Sequence, residues 1–234
     1  MYPFLPLGPL AIPTQPFVTI LGIFAALYLL ERTAVWLNFD PEQLSKLGTI
    51  TLLAGFLGAR FTYVFLHWDN YAANLSSIVW PLTSGYSLAG GVLGGLAAIF
   101  FYSRARDWLL TAVADLLAPS VLVGLAALSL ADFLGGSGYG LPLAAGLRHP
   151  VQLYEMLAAG LGLFLWWWAL PTRPFAGSLA LLATAGYTAG LLLAAPFWAN
   201  PWLVGGGWLG WQVVYLGLLL LALGLLAWQW QTGD

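Results

Sequence analysis

The stretch Arg148-His149-Pro150-Val151-Gln152-Leu153-Tyr154-Glu155 leads straight into an apolar run, Met156 to Leu170, that holds Trp166-Trp167-Trp168. A proline at the mouth of a helix presets φ and forfeits no bond, because the N–H groups of the first turn have no partner inside the helix. The stretch therefore reads as a helix start at a membrane face. Gln152 and Glu155, three residues apart, share one side of that helix, and Glu155 lies near enough to its positive end to gain from it. Taken alone, such a segment is a polar cap on a transmembrane helix.

The rest of the chain agrees. Charged residues are 7 % of the 234 and apolar residues 61 %, with a mean hydropathy of +0.85. A soluble globular domain carries about 25 % charged residues. The class is an all-α, polytopic membrane protein, and the continuously apolar runs argue against the alternating pattern of a β-barrel. Seven transmembrane helices are predicted, over about residues 16–31, 47–67, 86–103, 109–133, 151–170, 175–195 and 208–230, as one transmembrane domain with no soluble domain beside it. A formal charge of −2 carries no partner information, nothing suggests nucleic acid, and the absence of cysteine excludes disulfides and thiol chemistry of the chain's own. The N-terminus has no basic residue ahead of its first apolar run, so it reads as a retained span rather than a cleaved signal.

Residues 1–15 hold four prolines, which forbid a regular helix and place them at one membrane face. The connection 33–46 is the most polar in the chain, and Pro41 after Asp40 reads there as the start of a short surface helix. Trp68 to Ser84 reads as an interfacial loop or re-entrant arm, and Pro119 inside span four predicts a kink or break. Arg32, Lys46, Arg104, Arg106 and Arg173 fall on one side of the seven-span arrangement and Arg148 on the other. The positive-inside rule makes the five-cation side cytoplasmic, with the N-terminus outside and the C-terminus inside. No internal repeat supports an inverted-repeat transporter.

Few residues could carry chemistry. Arg60 lies within or near the outer end of span two. A cation at mid-membrane costs about 2.5–3.5 kcal/mol, which makes it a functional candidate; snorkelling, or pairing with Asp132 or Glu155 for structure alone, stands beside that reading. Gly90-Gly91 and Gly94-Gly95 make small-x-x-x-small patterns that by themselves mean close helix packing. Asp115 suits an interfacial residue or a helix-dipole partner better than a catalyst, Asp132 could pair with Arg60 or Arg148, and His67 beside Trp68 reads as interfacial. Two distant histidines and no carboxylate cluster leave a metal site without ligands.

The chain resembles the bacterial prolipoprotein diacylglyceryl transferase family over nearly its whole length. The resemblance is carried by Leu7-Gly8-Pro9-Leu10-Ala11-Ile12, by Gly58-Ala59-Arg60 with Tyr63, and by Gly85-Tyr86-Ser87-Leu88-Ala89-Gly90-Gly91-Val92-Leu93-Gly94-Gly95. It continues in Asp115-x-x-Ala118-Pro119 and is most specific in Arg148-His149-Pro150-x-Gln152-Leu153-Tyr154-Glu155. It implies a diacylglyceryl-transferase-like bundle in the bacterial cytoplasmic (inner) membrane. The implied reaction moves diacylglycerol from phosphatidylglycerol to a lipobox cysteine. The implied lipid and phosphate contacts are Arg60, Arg148, Gly90, Gly91, Gln152 and Tyr154.

The same resemblance marks departures. The family's histidine, a candidate base for the thiol, falls on Ala89, and a methyl group accepts no proton. In Leu128 to Ser137 the family's arginine falls on Ser129, its first asparagine on Asp132 and its glutamate on Ser137. Its tyrosine after the first motif falls on Gln15, and the arginine expected in Tyr187 to Ala195 has no counterpart. The connection between spans four and five is too short for the family's outer head domain. Losing one group that stabilises developing charge typically costs about 2.7–4 kcal/mol, and several are replaced together. The expectation is a non-catalytic member: an accessory subunit that meets other membrane-protein subunits through aromatic-rich helices, or a scaffold for a bound phospholipid such as phosphatidylglycerol. The alternative is a divergent active transferase that uses His149, Glu155 and Arg60.

Overall fold

Prolines shape the first residues. Phe4–Leu7 (β1) and Leu10–Pro13 (β2) pair antiparallel, Phe4 opposite Pro13 and Leu7 opposite Leu10, and Thr14 N–H closes the hairpin on Pro3 O at 3.0 Å. Among the described residues seven α-helices follow: α1 (Thr14–Trp36), α2 (Pro41–Leu66), α3 (Leu88–Ala105), α4 (Leu110–Gly135), α5 (Val151–Ala169), α6 (Ser178–Ala194) and α7 (Gly210–Thr232). A second hairpin, Leu203–Val204 (β3) with Trp208–Leu209 (β4), precedes α7. This is a computed structural model, and it describes residues 3–7, 10–72, 78, 85–143, 146–199, 202–204 and 208–232. Gly8 and Pro9, most of the arm before Ser84, and Gly205 to Gly207 lie outside that set.

Among the described residues, six helices are long and apolar enough to cross a membrane: α1, α2, α3, α4, α6 with its following turn, and α7. The chain is thus a polytopic α-helical membrane protein. The predicted fifth span, α5, is a regular helix of 19 residues outside those six. Gln152, Tyr154 and Glu155 in its first turns and three tryptophans at its end set it apart from the six, since these side chains prefer the interface to the hydrocarbon.

The chain divides into two compact units, Ala34–Leu110 and Met1–Thr33 with Thr111–Asp234. In the first, the surface helix expected before Leu47 is the beginning of α2 itself. Asp40 Oδ1 accepts Glu42 N–H at 2.9 Å, Pro41 occupies the first turn, and Lys46 reaches Glu42 at 2.6 Å, so nothing between Pro41 and Leu47 interrupts the helix. Glycines bring α2 and α3 together. A Cβ on Gly58 would meet Gly90 O, and one on Gly94 would meet Ala54 O. The small-residue pattern read from the sequence is a packing seam.

In the second unit, α4 passes through Pro119 unbroken. Proline has no N–H, so the carbonyl four residues earlier, that of Asp115, has no helical partner. The Trp166 indole N–H of α5 donates to that carbonyl at 2.9 Å. Of the predicted kink or break, the break is absent, and a neighbouring helix supplies the missing donor. The Asp115 carboxylate, fully buried, accepts Gly177 N–H at 2.7 Å, Ala180 N–H at 2.8 Å and Arg173 at 3.0 Å. It caps the N-terminus of α6, as its sequence position suggests. Gly177 has φ +102°, a conformation that favours glycine, and its Cβ would crowd Thr111.

Candidate polar site at the mouth of the fifth helix

Between α4 and α5 the described residues 136–143 and 146–150 form no regular helix. Gly136 (φ +82°) and Gly138 (φ +73°) turn the chain, Gly140 N–H bonds His149 O at 2.9 Å, and Pro142 and Arg148 form an isolated antiparallel bridge. A Cβ on Gly140 would strike Phe197 O and crowd His149, so this close approach needs glycine. The His149 ring lies 4.5 Å from that of Phe197, and its Nδ1 is in hydrogen-bond contact with Tyr154 OH at 3.1 Å. Arg148 is exposed. Tyr154 and Phe197 also head an apolar groove of about 330 Å³ between α5 and α6, with Leu157, Leu161, Gly190 and Leu193 along it.

The polar residues of α4 and α5 meet beneath this loop. Ser129 Oγ donates to Glu155 Oε2 at 2.9 Å. Gln15 Nε2 donates to Asp132 Oδ1 at 2.6 Å, and Ser137 Oγ to the same oxygen at 3.2 Å. Gln152, 3 % exposed, donates from Nε2 to Ser137 O. Helical spacing explains the set: Ser129 and Asp132 share a face of α4, as Gln152 and Glu155 share a face of α5. Among the described residues of this unit, no cation is a hydrogen-bond partner of either carboxylate. The expected pairing of Asp132 with Arg148 is therefore corrected: an amide and two hydroxyls hold the carboxylates, and Arg148 is exposed.

Sequence reading places His149, Tyr154, Gln152 and Glu155 in one neighbourhood, and the structure does bring these four to the mouth of α5. It does not reveal Gln15, Ser129 and Ser137 as partners, because each meets its carboxylate only through folding, 117 residues apart for Gln15 and Asp132. The one legible signal is that Asp132 and Glu155 are carboxylates in otherwise apolar helices.

In the other unit, Arg60 is 6 % exposed and is turned onto its own chain. Its Nε donates to Ile78 O at 3.0 Å and its Nη1 to Gly85 O at 3.0 Å and Tyr71 OH at 3.3 Å, with the Tyr71 and Tyr86 rings 5.3 and 5.6 Å away. This arginine ties the connection between α2 and α3 to α2. Gly85 has φ +124°, and a Cβ there would collide with the Tyr63 ring. Gly90 is buried against Thr62 and Gly58, and Gly91 lies near Ala59 and Gly55 O. Ala89 is exposed in the first turn of α3.

Several membrane-crossing helices with a small polar cluster at one helix mouth define a class, the polytopic membrane proteins that keep their polar chemistry in few side chains. The particular family follows from comparison. Residues 3–228 match the family model described as prolipoprotein diacylglyceryl transferase. The chain is 30 % identical, over 98 % of its length and 92 % of the relative's, to the phosphatidylglycerol–prolipoprotein diacylglyceryl transferase of Vibrio vulnificus. It is 30 % identical to that of Vibrio cholerae over 97 % and 90 % of the two chains. The relative from Pseudoalteromonas atlantica is 32 % identical over 77 % of this chain and 69 % of its own. The chain belongs to the prolipoprotein diacylglyceryl transferase family.

Proposed function

We propose that this protein is a non-catalytic member of its family, a phospholipid-binding scaffold or accessory subunit in the bacterial inner membrane. The observation that carries the reading is the pair Asp132 and Glu155, held by Gln15, Ser129 and Ser137 where the family resemblance places a tyrosine, an arginine and a glutamate. A reaction that leaves a phosphate-bearing product wants cations where charge develops, and a cluster of two carboxylates held by neutral donors disfavours it. Ala89 in place of the expected base supports the same conclusion. The partners of such a scaffold are membrane lipids and other membrane-protein subunits, met through exposed aromatic surfaces such as Trp167 and Trp168. We read α5 as a seventh span, with the N-terminus outside, from the placement of the loop cations.

The test is a purified assay with phosphatidylglycerol and a lipobox peptide, followed by mass spectrometry of the peptide. No diacylglyceryl adduct above the protein-free control is expected. Turnover would instead establish the second reading, an active transferase, which the names and full-length match of the relatives favour. In that case His149→Ala, Glu155→Gln and Arg60→Gln should each lower turnover by about 10²-fold or more.

A further inference from the structure

Two carboxylates on facing membrane helices call for a counter-charge. Asp132 Oδ1 is engaged by Gln15 and Ser137 and Glu155 Oε2 by Ser129, all neutral donors. Like charges in a low-dielectric setting repel strongly, and neutral hydrogen bonds do not cancel them. Both residues are half-buried, so a ligand can reach them.

Gln152 supplies an independent observation. Its Nε2 faces Ser137 O, which fixes the amide's orientation, because only the NH2 end can meet a carbonyl oxygen. Its Oε1 is then a buried acceptor with no hydrogen-bond partner among the described residues. Gln152 is one turn before Glu155 on α5, and the Ser137 it touches bonds Asp132. The cluster thus offers three acceptor groups, one of them without a partner among the described residues.

We propose that Asp132, Gln152 and Glu155 form a receptor for a primary ammonium group, supplied by the headgroup of an aminophospholipid. An ammonium brings one positive charge and three N–H donors, matching acceptors that lack both. A divalent metal ion is a poorer fit, since calcium takes six to eight oxygen ligands and the cluster presents three side chains. An anionic headgroup would add charge of the sign already in excess. The lipid source follows from depth: Asp132 lies three residues from the end of the membrane-crossing α4, at the level of lipid headgroups. The proposal rests on the lipid-binding reading above and names the headgroup it selects.

Native mass spectrometry of the full-length protein, titrated in detergent with phosphatidylethanolamine, phosphatidylcholine and phosphatidylglycerol, tests it. Phosphatidylethanolamine should be retained about tenfold more strongly than phosphatidylcholine, whose quaternary nitrogen has no N–H, and more strongly than phosphatidylglycerol. Asp132→Asn with Glu155→Gln should erase that ranking. Equal retention of the three lipids, or a ranking unchanged in the double variant, overturns the proposal. The wild-type comparison of the first two lipids decides it even if the variant does not fold. Free ethanolamine that competes only at millimolar excess supports the lipid source; ethanolamine that competes at the lipid's own concentration overturns the lipid source. The lipobox-peptide assay, run on the same preparation, judges the absence of transfer separately from the headgroup ranking.

Discussion

Asp115 and Asp132 stand on the same helix, α4, about 25 Å apart along its axis at about 1.5 Å per residue. Their surroundings are opposite. Asp115 is met by the Arg173 guanidinium and by two backbone N–H groups at the start of α6, and it is fully buried. Asp132, with Glu155 across from it, is met among the described residues by an amide and hydroxyls. A carboxylate matched by charge and backbone donors is a structural part. One held only by neutral groups retains a demand that something else must meet. Residue type alone does not separate structure from function here; the sign and number of partners do.

That contrast can be broken by substitution. Asp115→Ala strands Arg173 and two N–H groups, and should destabilise the protein by about 3–5 kcal/mol, read as early thermal unfolding in detergent. Melting like that of the parent would remove the structural half of the comparison. Trp166→Phe takes the donor from the Asp115 carbonyl and should cost about 0.6–1.7 kcal/mol. The loss should shrink in a Pro119→Ala background, where residue 119 regains an N–H. Asp132→Asn and Glu155→Gln, by contrast, should leave stability within about 1 kcal/mol or raise it, since each removes a charge that lacks a partner of opposite sign. A drop as large as that for Asp115→Ala would make both ends of α4 structural. Smallest of all, Glu42→Gln breaks an exposed pair with Lys46 and should leave the melting temperature unchanged.

Much of the architecture is legible in the sequence because continuous apolar runs have one outcome in a membrane. The errors lie where a local signal has a distant answer. Pro119 reads as a kink or break, and the helix stays continuous where Trp166 donates across from α5. The polar connection 33–46 reads as a separate surface helix, although Asp40 and Pro41 start α2 itself. Arg173 reads as a loop cation that sets orientation, and its bond to Asp115, 58 residues away, has no spacing rule to betray it. At the site, Gln152 and Glu155 are legible as one helical face. Gln15 and Ser129 appear only as departures from a family pattern until the fold sets them against Asp132 and Glu155.

The pairing of Pro119 with Trp166 also bears on how this sequence can drift. A helix that has lost one internal bond to proline, and recovered it from a neighbour's indole, makes two positions 47 residues apart answerable to each other. Exchange of the tryptophan alone leaves a carbonyl bare in the bilayer. Exchange of the proline alone restores a competing N–H and frees the indole to seek another acceptor. The least harmful path changes the proline first and the tryptophan afterwards, so this corner of the bundle has a preferred order of mutation and can act as a ratchet.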